Sequence, residues 1–463
     1  MSEQHLPSQA IVMGASIAGL WAARVLSDHV DEVLVLERDH LPETAKFRPG
    51  TPQARQYHVM LLRGLQLMDE LFPGMRQELI AAGAVAFDIT GAIAVRSGGR
   101  WLEQFPSNIN LIGCSRVLLE TVMRRHLHKI ASIRFMERVE VLGLTANPQR
   151  SSITGVRIRH LDQQAVSAPA EMLLQADLVV DTLGRRSPTP AWLQELGYQA
   201  PQESIVDSFL GYVTRRYCKP DSVQRNWPTI LISPEPPHNA RGGLVFPEEA
   251  GTWVVMMAGA NKDYPPVDEE GFQNYAASLG PEFFSVVTEG EALSKAYGYR
   301  GTDSRWRHYE QLTRWPERLV ILGDAFCGFN PIYGQGMTVA ALSAQALGAE
   351  LHKSHGQFDG IAQSTIQAVA KATEGAWLLA TSADMQWPAT VGGEQIKGPT
   401  GQFARWYISE LLHAMPNDRT LRLAFMDVNH LLKPATSLFA PALMLRVLRS
   451  ALLRRRPKAF SKK

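Results

Sequence analysis

Two glycines and a glutamate near the start of the chain have the spacing of a nucleotide-binding turn. Gly14-Ala-Ser-Ile-Ala-Gly19 follows an apolar run, and Glu37 ends a second apolar run 23 positions after Gly14. Glycines at these ends permit a tight turn and close packing of the next helix, and a carboxylate about 20 residues on binds ribose hydroxyls. A phosphate would lie over the helix N-terminus. Ser16 replaces the middle glycine of the pattern, so a plain βαβ unit is the alternative.

A second segment of this kind lies near the other end of the chain. Gly323-Asp324 follows the apolar run Arg318–Leu322 and precedes Pro331-Ile-Tyr-Gly-Gln-Gly-Met-Thr338. This order would direct Asp324 at the polar ribityl chain of a flavin, and the next helix N-terminus would stabilise the electron-rich edge of the reduced ring. The two segments together predict one FAD site. The alternative is an ordinary strand–turn–helix with glycines for tightness.

Other polar residues that could meet the cofactor lie between these two segments. The loop 48–58 carries Arg48, Arg55 and His58, although a solvated basic loop is the alternative. Ser115 is a plausible N-cap of a helix that starts at Arg116 and continues through Lys129, so Arg116 could reach the cofactor.

The composition is that of an ordinary globular enzyme with more than one domain. The chain has 463 residues, 45% hydrophobic and 20% charged, and a net charge of +2, which excludes nucleic acid as an expected partner. Its three cysteines show neither metal-ligand nor disulfide spacing, so we expect no metal and a reducing, cytoplasmic location. The N-terminus lacks the pattern of a signal peptide, and no stretch is apolar for the length of a membrane span.

The predicted fold class is α/β, with a discontinuous, Rossmann-like FAD-binding domain of the glutathione-reductase type. This domain comprises residues 1–83, 106–199 and 304–390. A mostly antiparallel substrate domain comprises 84–105, predicted as strands with a hairpin turn at 97–99, and 200–303. A C-terminal helical region covers 391–463. The substrate pocket is predicted to contain Tyr212, Phe246, Trp253 and Met257, although plain sheet core is an equal alternative for each.

The order of these motifs resembles that of flavoprotein monooxygenases related to para-hydroxybenzoate hydroxylase. Within that group the chain looks most like the bacterial polyether epoxidases of the lasalocid and monensin type. The resemblance spans nearly the whole chain and is carried by 14–19, 48–55, 114–116, 179–187, 323–325, 329–337 and 376–382.

Motifs and resemblance together predict the residues that bind FAD. By resemblance, Glu37, Arg116, Val141 and Asp324 hold the cofactor and 334–337 lie beside its ring. The full predicted set is Gly14, Ser16, Ile17, Ala18, Gly19, Glu37, Arg38, Arg48, Arg55, Arg116, Val141, Asp181, Gly323, Asp324, Pro331, Gly334, Gln335, Gly336 and Met337.

The resemblance implies that reduced FAD reacts with O2 to give a C4a-hydroperoxide, which transfers oxygen to a hydrophobic polyketide- or terpenoid-like alkene. A phenol would need a base, and no His/Asp/Tyr pair in 200–303 stands out, so epoxidation is favoured and no catalytic side chain is assigned. Thr182 and Leu183 separate Asp181 from Gly184, unlike the usual Asp-Gly of aromatic hydroxylases. NAD(P)H would therefore supply electrons directly or through a partner flavin reductase. The alternatives are an aromatic hydroxylase, an isoprenoid double-bond reductase and a prenyl-protein escort protein.

The C-terminal tail offers two interpretations. It is apolar-rich from Val428 to Leu453 and ends in Arg454-Arg-Arg-Pro-Lys458 and Lys462-Lys463. Such a helix with a basic end could lie on a membrane surface. A terminal helix packed on the FAD domain with a solvated basic end is the favoured interpretation.

Overall fold

The computed structural model describes residues 8–161, 171–224, 227–393 and 398–455. Its strands, in chain order, are β1 Gln9–Met13, β2 Glu32–Leu36, β3 Val85–Asp88, β4 Ala94–Ser97, β5 Arg100–Trp101, β6 Asn110–Gly113, β7 Ile133–Met136, β8 Val139–Ala146, β9 Ile153–His160, β10 Met172–Gln175, β11 Leu178–Asp181, β12 Glu203–Asp207, β13 Gly211–Cys218, β14 Ile230–Ile232, β15 Arg241–Pro247, β16 Thr252–Gly259, β17 Glu291–Ala292, β18 Tyr297–Tyr299, β19 Ser304–Arg307, β20 Leu319–Ile321, β21 Cys327–Gly328 and β22 Val391–Gly392.

Thirteen α-helices connect and cover these strands in the described residues. They are α1 Ile17–Leu26, α2 Leu62–Leu71, α3 Met75–Ala81, α4 Ile89–Ala92, α5 Arg116–His128, α6 Thr189–Glu195, α7 Glu269–Ser278, α8 Pro281–Glu289, α9 Gly336–Lys353, α10 Ile361–Asp384, α11 Gly398–Ala414, α12 Arg419–Asn429 and α13 Pro441–Arg455. The predicted cap of α5 is confirmed, because the Ser115 hydroxyl accepts a hydrogen bond from Leu118 N–H. The prediction of strand throughout 84–105 is wrong at α4, where the Asp88 carboxylate caps a single helical turn.

A five-stranded parallel sheet holds the nucleotide-type turn. Its order is β20-β11-β1-β2-β7, and every pairing in it is parallel. The central strands are almost wholly buried. Helices α1 and α10 pack on the sheet, and the separate antiparallel sheet β10-β9-β8 also packs against β11 and β2. The carboxyl ends of β20, β1 and β2 therefore meet at one edge, although β20 lies about three hundred residues after β1 in the sequence.

A second, mainly antiparallel sheet lies in the middle of the chain. It has the order β17-β13-β16-β15-β14-β4-β5, with β18 paired to β13. The predicted hairpin at 97–99 is confirmed by the β4–β5 pairing, and β15 and β16 pair as a second hairpin. One face of this sheet packs on α7 and α8 in a core that includes Val213, Val255 and Phe283. The predicted α/β fold class is confirmed, while the exact domain boundaries stay a prediction.

The helical C-terminal region has an apolar core of its own. Tyr407, Leu411, Leu421, Leu438 and Val447 pack together in it. The predicted helices of this region are confirmed as α11 to α13. The basic residues from 456 to 463 lie outside the described residues, as do residues 1–7. Among the described residues, no helix combines the length and apolarity needed to cross a bilayer.

Candidate active site

The first turn has the geometry that its glycines predict. Gly14 has φ +106°, and its N–H donates to the carbonyl of Leu36 at 2.8 Å. A Cβ on Gly19 would lie 1.8 Å from the carbonyl oxygen of Gly14, so no other residue fits there. Thr182 is the residue that departs from the Asp-Gly pattern. Its hydroxyl donates to the carbonyls of Met13 and Gly14 and so stabilises the turn.

Glu37 lies at the carboxyl end of β2, where the turn can reach it. Its Oε2 accepts from Ala15 N–H at 3.0 Å and lies 2.9 Å from Arg48 Nη1. Arg48 is buried and also contacts Glu120 and Asp39, each at 3.3 Å. Burial alone would lower the pKa of Arg48, but the carboxylates of Glu37, Glu120 and Asp39 outweigh burial and raise it. Arg48 thus fixes the position of the predicted ribose-binding carboxylate.

Ser16 occupies the position where the pattern has a glycine, and its hydroxyl forms hydrogen bonds with two charged side chains. Its hydroxyl donates to Glu120 Oε1 at 2.9 Å and accepts from Arg116 Nη2 at 2.8 Å. Arg116 Nε also donates to Glu120 Oε1, at 2.9 Å. No described side chain caps the N-terminus of α1, and its first turn contains no acidic residue. The first N–H groups of α1 and the guanidinium of Arg116 therefore lie together, as an anion site requires.

His58 lies next to Arg116 and is neutral. Its Nδ1 is 3.0 Å from the carbonyl of Gln56, which can only accept, so Nδ1 carries the proton and Nε2 accepts from Arg116 Nη1 at 3.3 Å. Burial, and then the charge of Arg116, lower the pKa of His58 to about 3. His58 and Arg116 line a small cavity with Met60, Leu65, Leu79, Ile112, Cys114, Leu119 and Met337.

The late segment meets the first turn directly. Gly323 has φ +60°, and a Cβ there would lie 2.7 Å from the side chain of Ala18. Asp324 is half-buried, and its Oδ1 lies 3.8 Å from the Cβ position of Gly336, the first residue of α9. No described side chain caps α9, and Gln335 Oε1 is buried without a donor from the described residues. An open helix N-terminus, a carboxylate and an unsatisfied acceptor lie together here, a set that fits a bound cofactor.

Four other residues predicted to bind the cofactor lie in the turn before α9, on β8 and after β2. Pro331 and Gly334 form the turn before α9, and Gly334 has φ +67°. Val141 lies on β8, whose first residue donates its N–H to the carbonyl of Glu37. Arg38 is exposed.

Arg55 and Asp181 contact other parts of the protein. The Arg55 guanidinium lies over the rings of Phe47 and Tyr297, at 4.7 and 4.4 Å, and forms no ion pair with a described carboxylate. Asp181 is fully buried, and its carboxylate accepts from Leu183 N–H and from the hydroxyls of Ser187 and Thr189. Its side chain therefore stabilises its own turn, and the role of Asp181 as a cofactor contact stays a prediction.

The predicted pocket residues divide between the two faces of the eight-stranded sheet. Tyr212 stacks on Tyr299, with ring centroids 5.5 Å apart, and packs with Leu210, Met256, Ala258 and Ile332. Arg185, Arg116 and Asp324 act electrostatically on Tyr299, so this tyrosine pair lies near the residues that surround the turns. Burial raises the pKa of both tyrosines.

The other three predicted pocket residues lie farther along or behind the sheet. Phe246 is on the same face as Met256 but packs against Phe87 and Tyr57. Met257 and Trp253 pack on the opposite face, in or against the core formed with α7 and α8. Met257 and Trp253 therefore face away from Tyr212, because alternate residues of β16 point to opposite faces. The role of these three residues in a pocket stays a prediction.

Comparison with known proteins identifies a relative. No family model matches the chain. Protein Rv3254 of Mycobacterium tuberculosis is 32% identical over 390 residues, which are 81% of this chain and 80% of that protein. The chain belongs to the family of Protein Rv3254.

Solved structures show the fold that this Rv3254-family chain shares. PqsL, a probable FAD-dependent monooxygenase from Pseudomonas aeruginosa, has a TM-score of 0.58 at 15% identity, over 90% of this chain and 99% of its own. The flavin-dependent brominase Bmp2 has a TM-score of 0.65 at 12% identity, over 97% and 100%. A flavoprotein/dehydrogenase from Cytophaga hutchinsonii has a TM-score of 0.66 at 13% identity, over 96% and 98%. The fold is therefore that of flavoprotein monooxygenases and halogenases.

A buried acid holds the glycine-rich turn in this Rv3254-family chain, and no sequence motif indicated it. Asp384, the last residue of α10, accepts at Oδ1 from Asn330 Nδ2 at 2.8 Å and from the hydroxyls of Ser208 and Tyr333 at 2.9 Å. Its Oδ2 is buried without a described partner. Burial raises the pKa of Asp384 to about 6, although the three donors oppose the shift.

Proposed function

We propose that this protein is an FAD-dependent monooxygenase. The observation that carries the proposal is the contact between the Gly323–Asp324 turn and Ala18 of the first turn. That contact brings two carboxylates, two open helix N-termini and the side chain of Arg116 to one edge of the parallel sheet, as a dinucleotide-binding groove requires. Among the described residues, no cluster of three or more His, Cys, Asp or Glu could hold a metal ion.

The residues of the groove suit different parts of FAD. Glu37, held by Arg48, would accept hydrogen bonds from the adenosine ribose. The N-terminus of α1 and Arg116 would bind the pyrophosphate, and Asp324 would bind the ribityl hydroxyls. The N-terminus of α9 would stabilise negative charge on the ring system. When bound and reduced, FAD supplies the activation of O2, and NAD(P)H supplies the electrons directly or through a flavin reductase.

The substrate in this proposal is an alkene of a hydrophobic, polyketide- or terpenoid-like molecule. The surface around Tyr212 and Tyr299 is built from Leu210, Met256, Ala258 and Ile332, which would bind apolar carbon and exclude water. His58 has both ring nitrogens engaged and stays neutral, and burial keeps the two tyrosines protonated. These side chains are poor bases for a phenol, whereas an alkene requires only placement.

Oxygen transfer can be tested with purified protein, FAD, a flavin reductase, NADPH and O2. We expect an epoxide from an apolar polyene and little product from simple phenols. Clean hydroxylation of a phenol with only peroxide from every alkene would replace the epoxidase assignment with an aromatic hydroxylase. Reduction of a double bond without oxygen would instead indicate a reductase.

Cofactor binding is tested separately by the flavin content of purified variants. Asp324→Asn and Glu37→Gln should both lower it, because each removes the charge of one carboxylate of the groove. Asp359→Asn is the matched control, since Asp359 is exposed and its carboxylate pairs with Arg318. Wild-type protein that takes up no FAD would refute the proposal at its first step.

A further inference from the structure

The last helix of the described chain, α13, carries apolar side chains on its outer face as well as on the face that packs against the protein. Val447 of α13 is buried against the core of the C-terminal region. Four leucines of the same helix are left exposed: Leu445 at 68%, Leu448 at 36%, Leu452 at 68% and Leu453 at 56%. Positions 445, 448 and 452 have the spacing of one helix face, so these side chains form a continuous stripe.

The charge of this end of the chain is strongly asymmetric. Residues 428–463 contain nine Lys or Arg and no Asp or Glu, while residues 1–427 carry a net charge of −7. Arg449 is exposed, has no salt bridge to a described residue and lies one helical turn from both Leu445 and Leu452. Arg446 and Arg454, farther round the helix, pair with Asp418 and Glu410. The apolar stripe is thus bordered by a cation that no described carboxylate neutralises.

We propose that the outer face of α13 docks on the surface of an anionic lipid bilayer. In this arrangement the helix lies in the plane of the interface, the leucine stripe enters the boundary between headgroups and acyl chains, and Arg449 meets lipid phosphate. The absence of acidic residues from the last 36 positions of the sequence makes the charge complementary to such a surface.

Other occupants fit the same face less well. A nucleic acid would satisfy the arginines but would leave the leucines exposed to water. If two copies of the chain paired through α13 by two-fold symmetry, Arg449 of one copy would approach Arg449 of the other. The sequence of α13 has no acidic side chain that could neutralise these two charges. The proposal does not depend on the proposed function, although a bilayer would be a source of hydrophobic substrate.

The test compares full-length variants in vesicle co-sedimentation. Leu445→Gln/Leu452→Gln removes half of the exposed leucines, and Leu173→Gln/Leu293→Gln is the matched control because those leucines are 60% and 54% exposed elsewhere. Vesicles of phosphatidylcholine with about one third phosphatidylglycerol are compared with pure phosphatidylcholine. Circular dichroism and thermal melting verify that each variant keeps the fold.

Wild type and the Leu173→Gln/Leu293→Gln variant (the control pair) should sediment with the anionic vesicles. The Leu445→Gln/Leu452→Gln variant (the α13 pair) should bind these vesicles at least about tenfold more weakly. Binding should also fall as salt is raised, because screening weakens the attraction of arginines to phosphate. Wild type that stays in solution with anionic vesicles, or an α13 pair that binds like wild type, would overturn the proposal. Light scattering after gel filtration gives a further check, since a wild-type dimer that the α13 pair dissociates would reassign the face to self-association.

Discussion

Replacing Asp384 with asparagine tests whether burial or hydrogen bonding determines the ionisation of this acid. The asparagine side chain is nearly isosteric with aspartate and could still accept from Asn330, Ser208 and Tyr333 through its amide oxygen. The Asp384→Asn variant therefore removes the titration and preserves the acceptor of the cluster.

The expected effect follows from the pKa of the acid in the two states. Burial raises the pKa of Asp384 from 3.8 to about 6. Between these values the native protein holds a proton that the unfolded chain has lost, so native stability falls as pH rises through this window. The full loss is about 3 kcal/mol, because each pKa unit corresponds to ~1.4 kcal/mol. About 2 kcal/mol of it develops between about pH 4.5 and about pH 8.

The assay is the free energy of unfolding in urea for wild type and Asp384→Asn at those two pH values. Relative to wild type, the variant should gain about 2 kcal/mol on going to the higher pH. Asp221→Asn, at an exposed turn, is the control substitution. A variant that gains no stability relative to wild type between the two pH values would show that the native pKa of Asp384 is not raised, and the reasoning from burial would fail.

Three further predictions concern the turns and the sheet. Gly19→Ala should abolish FAD uptake, measured as flavin absorbance per chain, because its Cβ would collide with the carbonyl of Gly14. Ser16→Ala should weaken FAD binding about fivefold in a fluorescence titration, since Arg116 loses a hydrogen-bond acceptor worth about 1 kcal/mol. Met257→Ala should cost about 2–5 kcal/mol of unfolding free energy in urea. Met256→Ala is the matched comparison and should lower the free energy of unfolding by less than Met257→Ala. It should also change which alkenes are oxidised, because Met256 lies on the same face of the sheet as Tyr212.

The sequence predicted those parts of the site that depend on backbone geometry. Gly14, Gly19 and Gly323 occupy positions where a positive φ or a close approach leaves no room for a side chain. Such requirements are local, so a spacing pattern can represent them. The carboxylates at 37 and 324 follow apolar strands of one parallel sheet, and the carboxyl ends of such strands meet at a single edge.

Three features of the structure could not be predicted from residue type or spacing. Met256 and Met257 are adjacent in a strand whose two faces are both buried, so residue type does not reveal which one faces the tyrosines. Asp181 has the residue type of a ligand contact, but Ser187 and Thr189 from the following turn use its oxygens. The Asp384 cluster joins three segments that are far apart in sequence, and no spacing rule describes such a contact.

The arrangement of charges in the groove distinguishes two arginines. Arg48 contacts three carboxylates, from Glu37, Asp39 and Glu120, so little of its charge remains for a ligand. Arg116 pairs with a single carboxylate among the described residues and turns an Nη group to the hydroxyl of Ser16 at the start of α1. A phosphate at that helix N-terminus would therefore meet Arg116, while Arg48 would hold Glu37 in position. The serine in place of the middle glycine is consistent with this division, because a glycine there could not tether Arg116 beside the turn.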